Sequence, residues 1–179
     1  SDARMSGGEL PVVINSSSGN QGMTASLPVI ACAEEFGVTD EKRYRALCIS
    51  NLTAVYQKRD IGRLSAYCGA VSAGAGSGAG MMYLMGGSLE DISNVVTYTI
   101  ANVGGILCDG AKSSCAAKIA SSVEAALVAI HLAERHRGFG SGEGVVKDTV
   151  TETVAGISTI AREGMQITDE VILDVMVNH

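Results

Sequence analysis

Tryptophan is absent from the 179 residues, and phenylalanine and proline occur twice each. With five tyrosines beside them, platforms for stacking nucleic-acid bases are scarce. Basic clusters are missing too. Thirteen Lys and Arg stand against nineteen Asp and Glu, for a net charge of −6 and a pI of about 5.0. No surface is offered to a run of phosphates, which excludes a nucleic-acid binder. The polar first ten residues hold no apolar segment of a signal peptide. Charge is sparse at 18% against 46% hydrophobic residues, which excludes wholesale disorder. A chain of this length buries roughly 70% of its unfolded surface, enough for a real core.

What is abundant is glycine, with 22 residues. Glycine without proline indicates close backbone packing rather than linker or collagen. Strand-like alternation is confined to residues 11–14, while helical periodicity runs through most of the chain. Residues 39–60 read as a helix capped by Thr39 or Asp40, with Tyr44, Leu47, Cys48, Leu52, Val55 and Tyr56 as its inner face. Ser88-Leu-Glu-Asp91 opens another in capping-box style, carrying Ile92, Val95, Val96 and Ile100. Residues 113–137 form the longest, with Ile119, Val123, Ala126, Leu127 and Ile130 on one face. Helices over 23–36, 145–163 and 168–177 complete an all-α domain spanning 1–179. The opening at Ser1, with Gly7-Gly8 close behind, suggests a piece of a longer chain.

Residues 64–89 carry no charge. Their length allows a membrane span, but Gly, Ala and Ser dominate, so the expectation is a buried central helix whose glycines admit close neighbours. No membrane is expected. Two alternating runs, Gly74-Ala-Gly-Ser-Gly-Ala-Gly80 and Gly138-Phe-Gly-Ser-Gly-Glu-Gly144, resemble phosphate loops only superficially. They lack the G-x-G-x-x-G spacing after a strand and the terminal G-K-S/T.

Residues 15–22, Asn-Ser-Ser-Ser-Gly-Asn-Gln-Gly, combine small residues and amides just before a helical pattern. Such a stretch is either a plain capped loop or a cup for a carboxylate or phosphate at a helix start. The odd count of five cysteines, with no secretory signal, argues against disulfides. Cys32 and Cys48 fall at core-facing positions. Cys68 opens the uncharged segment, and Cys108 and Cys115 bracket Asp109-Gly-Ala-Lys-Ser-Ser114. On one continuous helix the last two would stand about 10.5 Å apart. A reversal at Gly110, with Ser113 or Ser114 capping a new helix, could bring them together. A structural zinc prefers tighter pairs and four ligands. Three dispersed thiolates can hold an iron–sulfur cluster with one iron open, or be inert. Asp109 and Lys112 are either turn residues or contacts to such a centre. His131 and His136, five apart, share no helix face.

Taken together, Asn15-Ser-Ser-Ser-Gly-Asn-Gln-Gly-Met-Thr24, Cys68-Gly-Ala-Val-Ser-Ala-Gly-Ala-Gly76 and Gly105-Ile-Leu-Cys-Asp-Gly-Ala-Lys-Ser-Ser-Cys-Ala-Ala-Lys118 resemble the iron–sulfur-dependent L-serine dehydratase α-domain family. The closer resemblance is to its L-cysteine desulfidase branch, and it covers nearly the whole chain. It implies an all-helical, cytoplasmic lyase domain that eliminates hydrogen sulfide or water from L-cysteine or L-serine, ending in pyruvate and ammonia. It further implies a [4Fe-4S] cluster, which aerobic handling can strip, on Cys68, Cys108 and Cys115. Ser16, Ser17, Gly19, Asn20 and Gln21 would hold the substrate carboxylate, with Asp109 and Lys112 around the cluster. Desulfidases carry an upstream Gly-Cys-Thr-Glu-Pro stretch thought to supply the proton-transfer thiol, and this chain has none. The base is therefore expected outside this chain, on an upstream domain of the same enzyme, and a homo-oligomer is expected. The competing expectation is a non-catalytic helical packing or oligomerisation module, with inert thiols or a structural zinc.

Overall fold

The uncharged, glycine-rich segment becomes the axis of the molecule. In the computed structural model, which describes residues 1–62 and 65–178, α4 (Gly69–Leu84) is buried at every residue except Tyr83. Around it pack α2 (Gly19–Glu35), α3 (Asp40–Ile61), α5 (Leu89–Val103) and α6 (Ser114–Glu134). A short α1 (Asp2–Met5) precedes them. After them come α7 (Val150–Thr159), a π-helical turn (Ile160–Gly164) and α8 (Gln166–Val177). Among the described residues there is no strand, and residues 11–14 pair with nothing. Leu64 at the head of the uncharged segment, and His179, lie outside the described residues.

The alternation of the first glycine run follows from helix geometry. Two residues turn about 200° around an α-helix, so successive glycines of the run face opposite neighbours. A Cβ on Gly76 would lie 2.5 Å from the Ser50 carbonyl oxygen on α3, and one on Gly74 would lie 2.8 Å from the Ser122 carbonyl oxygen on α6. The axis is thus clamped by backbone on both sides.

That close approach overturns the expected inner face of α3. Its buried positions are Ala46, Ser50, Ala54, Gln57, Lys58 and Ile61. Tyr44, Cys48, Leu52, Val55 and Tyr56 face outward, and Leu47 is half-buried. Small side chains are needed where two backbones nearly touch, so the large apolar ones are displaced to the outside. Cys48 is consequently exposed rather than in the core, and Cys32 is half-buried, its thiol pushed up by burial. α8 buries no residue at all and exposes Ile167, Val171 and Leu173. Apolar faces of this extent mark contact with other protein.

Other boundaries also shift. α2 begins at Gly19, four residues before the expected Met23, because the Ser18 hydroxyl accepts from the Gln21 N–H (3.2 Å) and caps it there. The helix expected from Val145 starts at Val150, where Thr149 and Glu152 form a capping box. The expected box at Ser88 and Asp91 is present. α4, at 16 residues, is shorter than the roughly 20 a span requires. Among the described residues it is α6 that is long and apolar enough to cross a membrane, by length and composition only. Its Ala125, Ala126, Ala129 and Ile130 are buried against the bundle.

Candidate functional site

Three helices begin at one place. The N-termini of α2, α4 and α6 open onto a single cavity of about 390 Å³, lined by Ser17 to Gln21, by Cys68 to Ala70, and by Cys108, Gly110, Cys115 and Lys118. Unpaired N–H groups and helix dipoles make each terminus attractive to negative charge. Arg4, Lys58 and Lys118 also line the cavity, and no Asp or Glu does. Among the described residues the side chains of the lining therefore carry positive charge and no carboxylate.

The first wall is the start of α2. Asn15 and Ser18 exchange backbone hydrogen bonds at 3.3 Å, closing a tight turn over Ser16, whose φ is +58°. The Asn15 amide donates to the Asn51 side-chain oxygen (2.9 Å), tying the turn to α3. The Gln21 amide donates to the Ser17 hydroxyl (2.7 Å), and the Arg4 guanidinium donates to the Asn20 side-chain oxygen (2.9 Å). Of the cup residues expected from the sequence, Ser17, Gly19, Asn20 and Gln21 line the cavity. Ser16 does not, since its hydroxyl donates to Asn15 instead (2.8 Å). Ser18, not singled out beforehand, does. Gln21 also touches the second wall, because a Cβ at Gly69 would fall on its amide.

Cys68 and Cys108 are joined by a device that helical periodicity does not show. An isolated antiparallel bridge pairs Tyr67 with Leu107. The Cys68 N–H donates to Ile106 (3.1 Å) and the Cys108 N–H to Ala66 (2.7 Å). The two thiols thereby line the same cavity. Their interaction raises the proton affinity of Cys68 and lowers that of Cys108 to about 6. Cys115, in the first turn of α6, lines the same cavity and accepts from the Lys112 N–H (3.5 Å). The reversal at Gly110, at φ +90°, is present. Ser113 stands at the N-cap of α6 but makes no side-chain cap.

Asp109 and Lys112 lie outside the lining. Asp109 instead accepts from the Lys118 ammonium, which also donates to the Leu107 carbonyl (2.9 Å). Burial pushes Lys118 down, but the hydrogen bond and charge of Asp109 outweigh it and leave the ammonium raised. The same hydrogen bond holds the Asp109 carboxyl below its ordinary value. A carboxylate depressed in the folded state adds stability that is complete above its unfolded pKa of about 3.9 and vanishes as pH falls through the lower native value. Asp109→Asn is therefore expected to melt earlier than the wild type at neutral pH and together with it in strong acid. The pair is partly exposed, which keeps the difference below about 1 kcal/mol. Melting curves recorded down to about pH 3 check the convergence.

Sequence reasoning missed Lys58, Lys118 and Tyr67 as parts of the site. Tyr67 is 1% exposed, and among the described residues its hydroxyl has no hydrogen-bond partner. Among the described residues no three His, Cys, Asp or Glu side chains are close enough to grip a single metal ion. Zinc, with bonds of about 2.3 Å to sulfur, is thus poorly served. Three thiols on one cavity wall, with helix N-termini to offset their negative charge, do suit a larger iron–sulfur core.

The sequence matches the family described as serine dehydratase alpha chain over residues 1–174. A UPF0597 protein from Lachnoclostridium phytofermentans is 64% identical over 178 residues, covering 99% of this chain and 43% of that protein. A UPF0597 protein from Treponema denticola is 52% identical over 176 residues, covering 98% and 41%. One from Desulfitobacterium hafniense is 51% identical, covering 99% and 41%. The chain therefore spans about two fifths of the length of these relatives. No solved structure matches it.

Proposed function

Since the chain belongs to the serine dehydratase alpha chain family, we propose that it is the cluster- and substrate-binding part of an iron–sulfur lyase that eliminates hydrogen sulfide from L-cysteine or water from L-serine. The observation that carries this reading is the shared cavity. A carboxylate cup on α2 and three thiols from α4, the Gly110 turn and α6 face the same 390 Å³, although they come from distant parts of the chain. Serine-type elimination needs those two functions within one small molecule's length.

On this reading the substrate carboxylate rests on the N-terminus of α2, with the Ser17 hydroxyl and the Asn20 and Gln21 amides around it. Arg4, held on Asn20, adds positive charge to the same end. Cys68, Cys108 and Cys115 would hold a [4Fe-4S] cluster, and Lys118 with Asp109 would sit behind it. When bound, that cluster supplies an iron not tied to a thiolate, a Lewis acid for the departing group. The α-proton goes to a base contributed from outside this chain, by the rest of a longer polypeptide. The desulfidase branch is the proposed assignment within the family. The exposed faces of α3 and α8 support assembly with that remainder and with a second copy. All five cysteines are unpaired, in keeping with a reducing cytoplasm.

Oxygen-free reconstitution with iron and sulfide tests the reading. The chain is expected to turn brown with about four iron and four sulfide each. A full-length relative treated the same way is expected to release pyruvate from L-cysteine or L-serine. A protein that stays colourless and iron-free under these conditions sinks the proposal.

A further inference from the structure

Lys58, near the end of α3, is 5% exposed. Among the described residues its ammonium has no hydrogen-bond or ion-pair partner, yet it lines the cavity. Burying an ammonium costs several kcal/mol unless something negative meets it. The other two cations of the lining are provided for. Arg4 is held on Asn20 and Lys118 on Asp109. Among the described residues no carboxylate lines the space, which leaves an entering molecule to meet Lys58. Burial pushes the Lys58 ammonium down, and the Cys108 thiol and Asp169 on α8 act against that. Ser65 and Tyr67 lie beside it in the lining. Lys58 therefore shares the cavity with the thiols and is near enough to Cys108 to feel it.

We propose that Lys58 is the residue that binds the side chain of the substrate, donating a charged hydrogen bond to the β-oxygen or β-sulfur of the amino acid and holding that atom as it leaves. The inference rests on the proposed reading of the cavity as an amino-acid site. In the elimination, the Cα proton passes to the external base and the Cα=Cβ bond forms. The Cβ–S or Cβ–O bond breaks with its electron pair on the departing atom, leaving 2-aminoacrylate and hydrosulfide or hydroxide. The Lys58 ammonium carries its hydrogen bond to the atom on which that charge collects. The more negative the atom becomes, the stronger the contact.

Calorimetric titration of the reduced, cluster-free chain with L-serine and L-alanine tests this, since alanine offers the carboxylate but no β-heteroatom. The cavity and its polar groups are formed by the chain alone, so both ligands are expected to bind without the cluster. Wild type should hold L-serine about tenfold more tightly than L-alanine. Lys58→Met should erase that preference while leaving L-alanine unchanged, and Lys58→Arg should restore part of it. Without ligand, Lys58→Met should melt at a higher temperature than the wild type, because an unpaired buried charge has gone. Gln21→Ala should weaken both amino acids alike. A Lys58→Met protein that still prefers L-serine, or that melts lower, overturns the role of Lys58 and leaves the cavity reading standing. Failure of wild type to bind either amino acid overturns both.

Discussion

Cys108→Ala is expected to leave the reconstituted protein colourless, with iron and sulfide reduced to background. The loss should be all-or-none rather than graded, because a cluster held by three thiolates has no spare ligand to fall back on. The neighbouring Cys68 lowers the Cys108 thiol to about 6, which favours its thiolate, the form that ligates iron. Cys68→Ala and Cys115→Ala are expected to do the same, since both thiols face the same cavity. Cys32→Ala and Cys48→Ala should keep full colour, as neither residue lines that space. Visible absorption with iron and sulfide analysis reads the result, and circular dichroism confirms that each variant is folded. Unfolding is not the expected cause, because a Cys→Ala change removes one sulfur and leaves the Tyr67–Leu107 bridge, which is backbone. Colour that survives loss of all three thiols would remove the cluster from this cavity.

Gly76→Val is expected to prevent folding, and Gly76→Ala to lower the melting temperature by up to about 8 °C. Alanine gains about 1 kcal/mol of helix propensity over glycine, so a net loss requires a larger steric cost. The structure supplies one. The new methyl would meet the Ser50 carbonyl at 2.5 Å and the Ala54 side chain at 3.3 Å. Neither is the far end of a flexible side chain, so α3 or α4 must move, and α4 is also pressed from the other side at Gly74. Overpacking of this kind costs about 1–3 kcal/mol per added group, a large part of a total of about 5–15. Gly156→Ala on α7 is the internal control. A Cβ there meets nothing within 4 Å, so propensity acts alone and the melting temperature should rise by about 2–4 °C. If both glycines respond alike, close helix contact is not what the alternating glycines are for.

Much of this arrangement could be read before any coordinates. The capping box at Ser88, the uncharged central helix, the reversal at Gly110 and the helix opening near Cys115 all follow from short-range rules, because each depends on residues within one or two turns. The motifs that carry the family resemblance are equally local. The inner face of α3 was not readable in that way, since periodicity ranks faces by hydrophobicity. Here the neighbour is a glycine helix, which accepts only small partners and sends Tyr44, Cys48 and Leu52 outward. One signal was available. Ala46, Ser50, Ala54 and Lys58 recur every four residues, a row of small side chains ended by a lysine, and a charge on the close-packed row is the anomaly that marks Lys58.

Local chemistry was thus enough for most helices and caps, because bond geometry and hydrogen bonding over a few residues fix them. Which sulfur meets which was settled only by folding. A two-residue bridge between Tyr67 and Leu107, and three helices starting at one point, bring separated thiols, lysines and a serine-amide cup around one space. No rule of spacing encodes that convergence, since it depends on how closely α2, α3 and α6 can approach a backbone stripped of side chains.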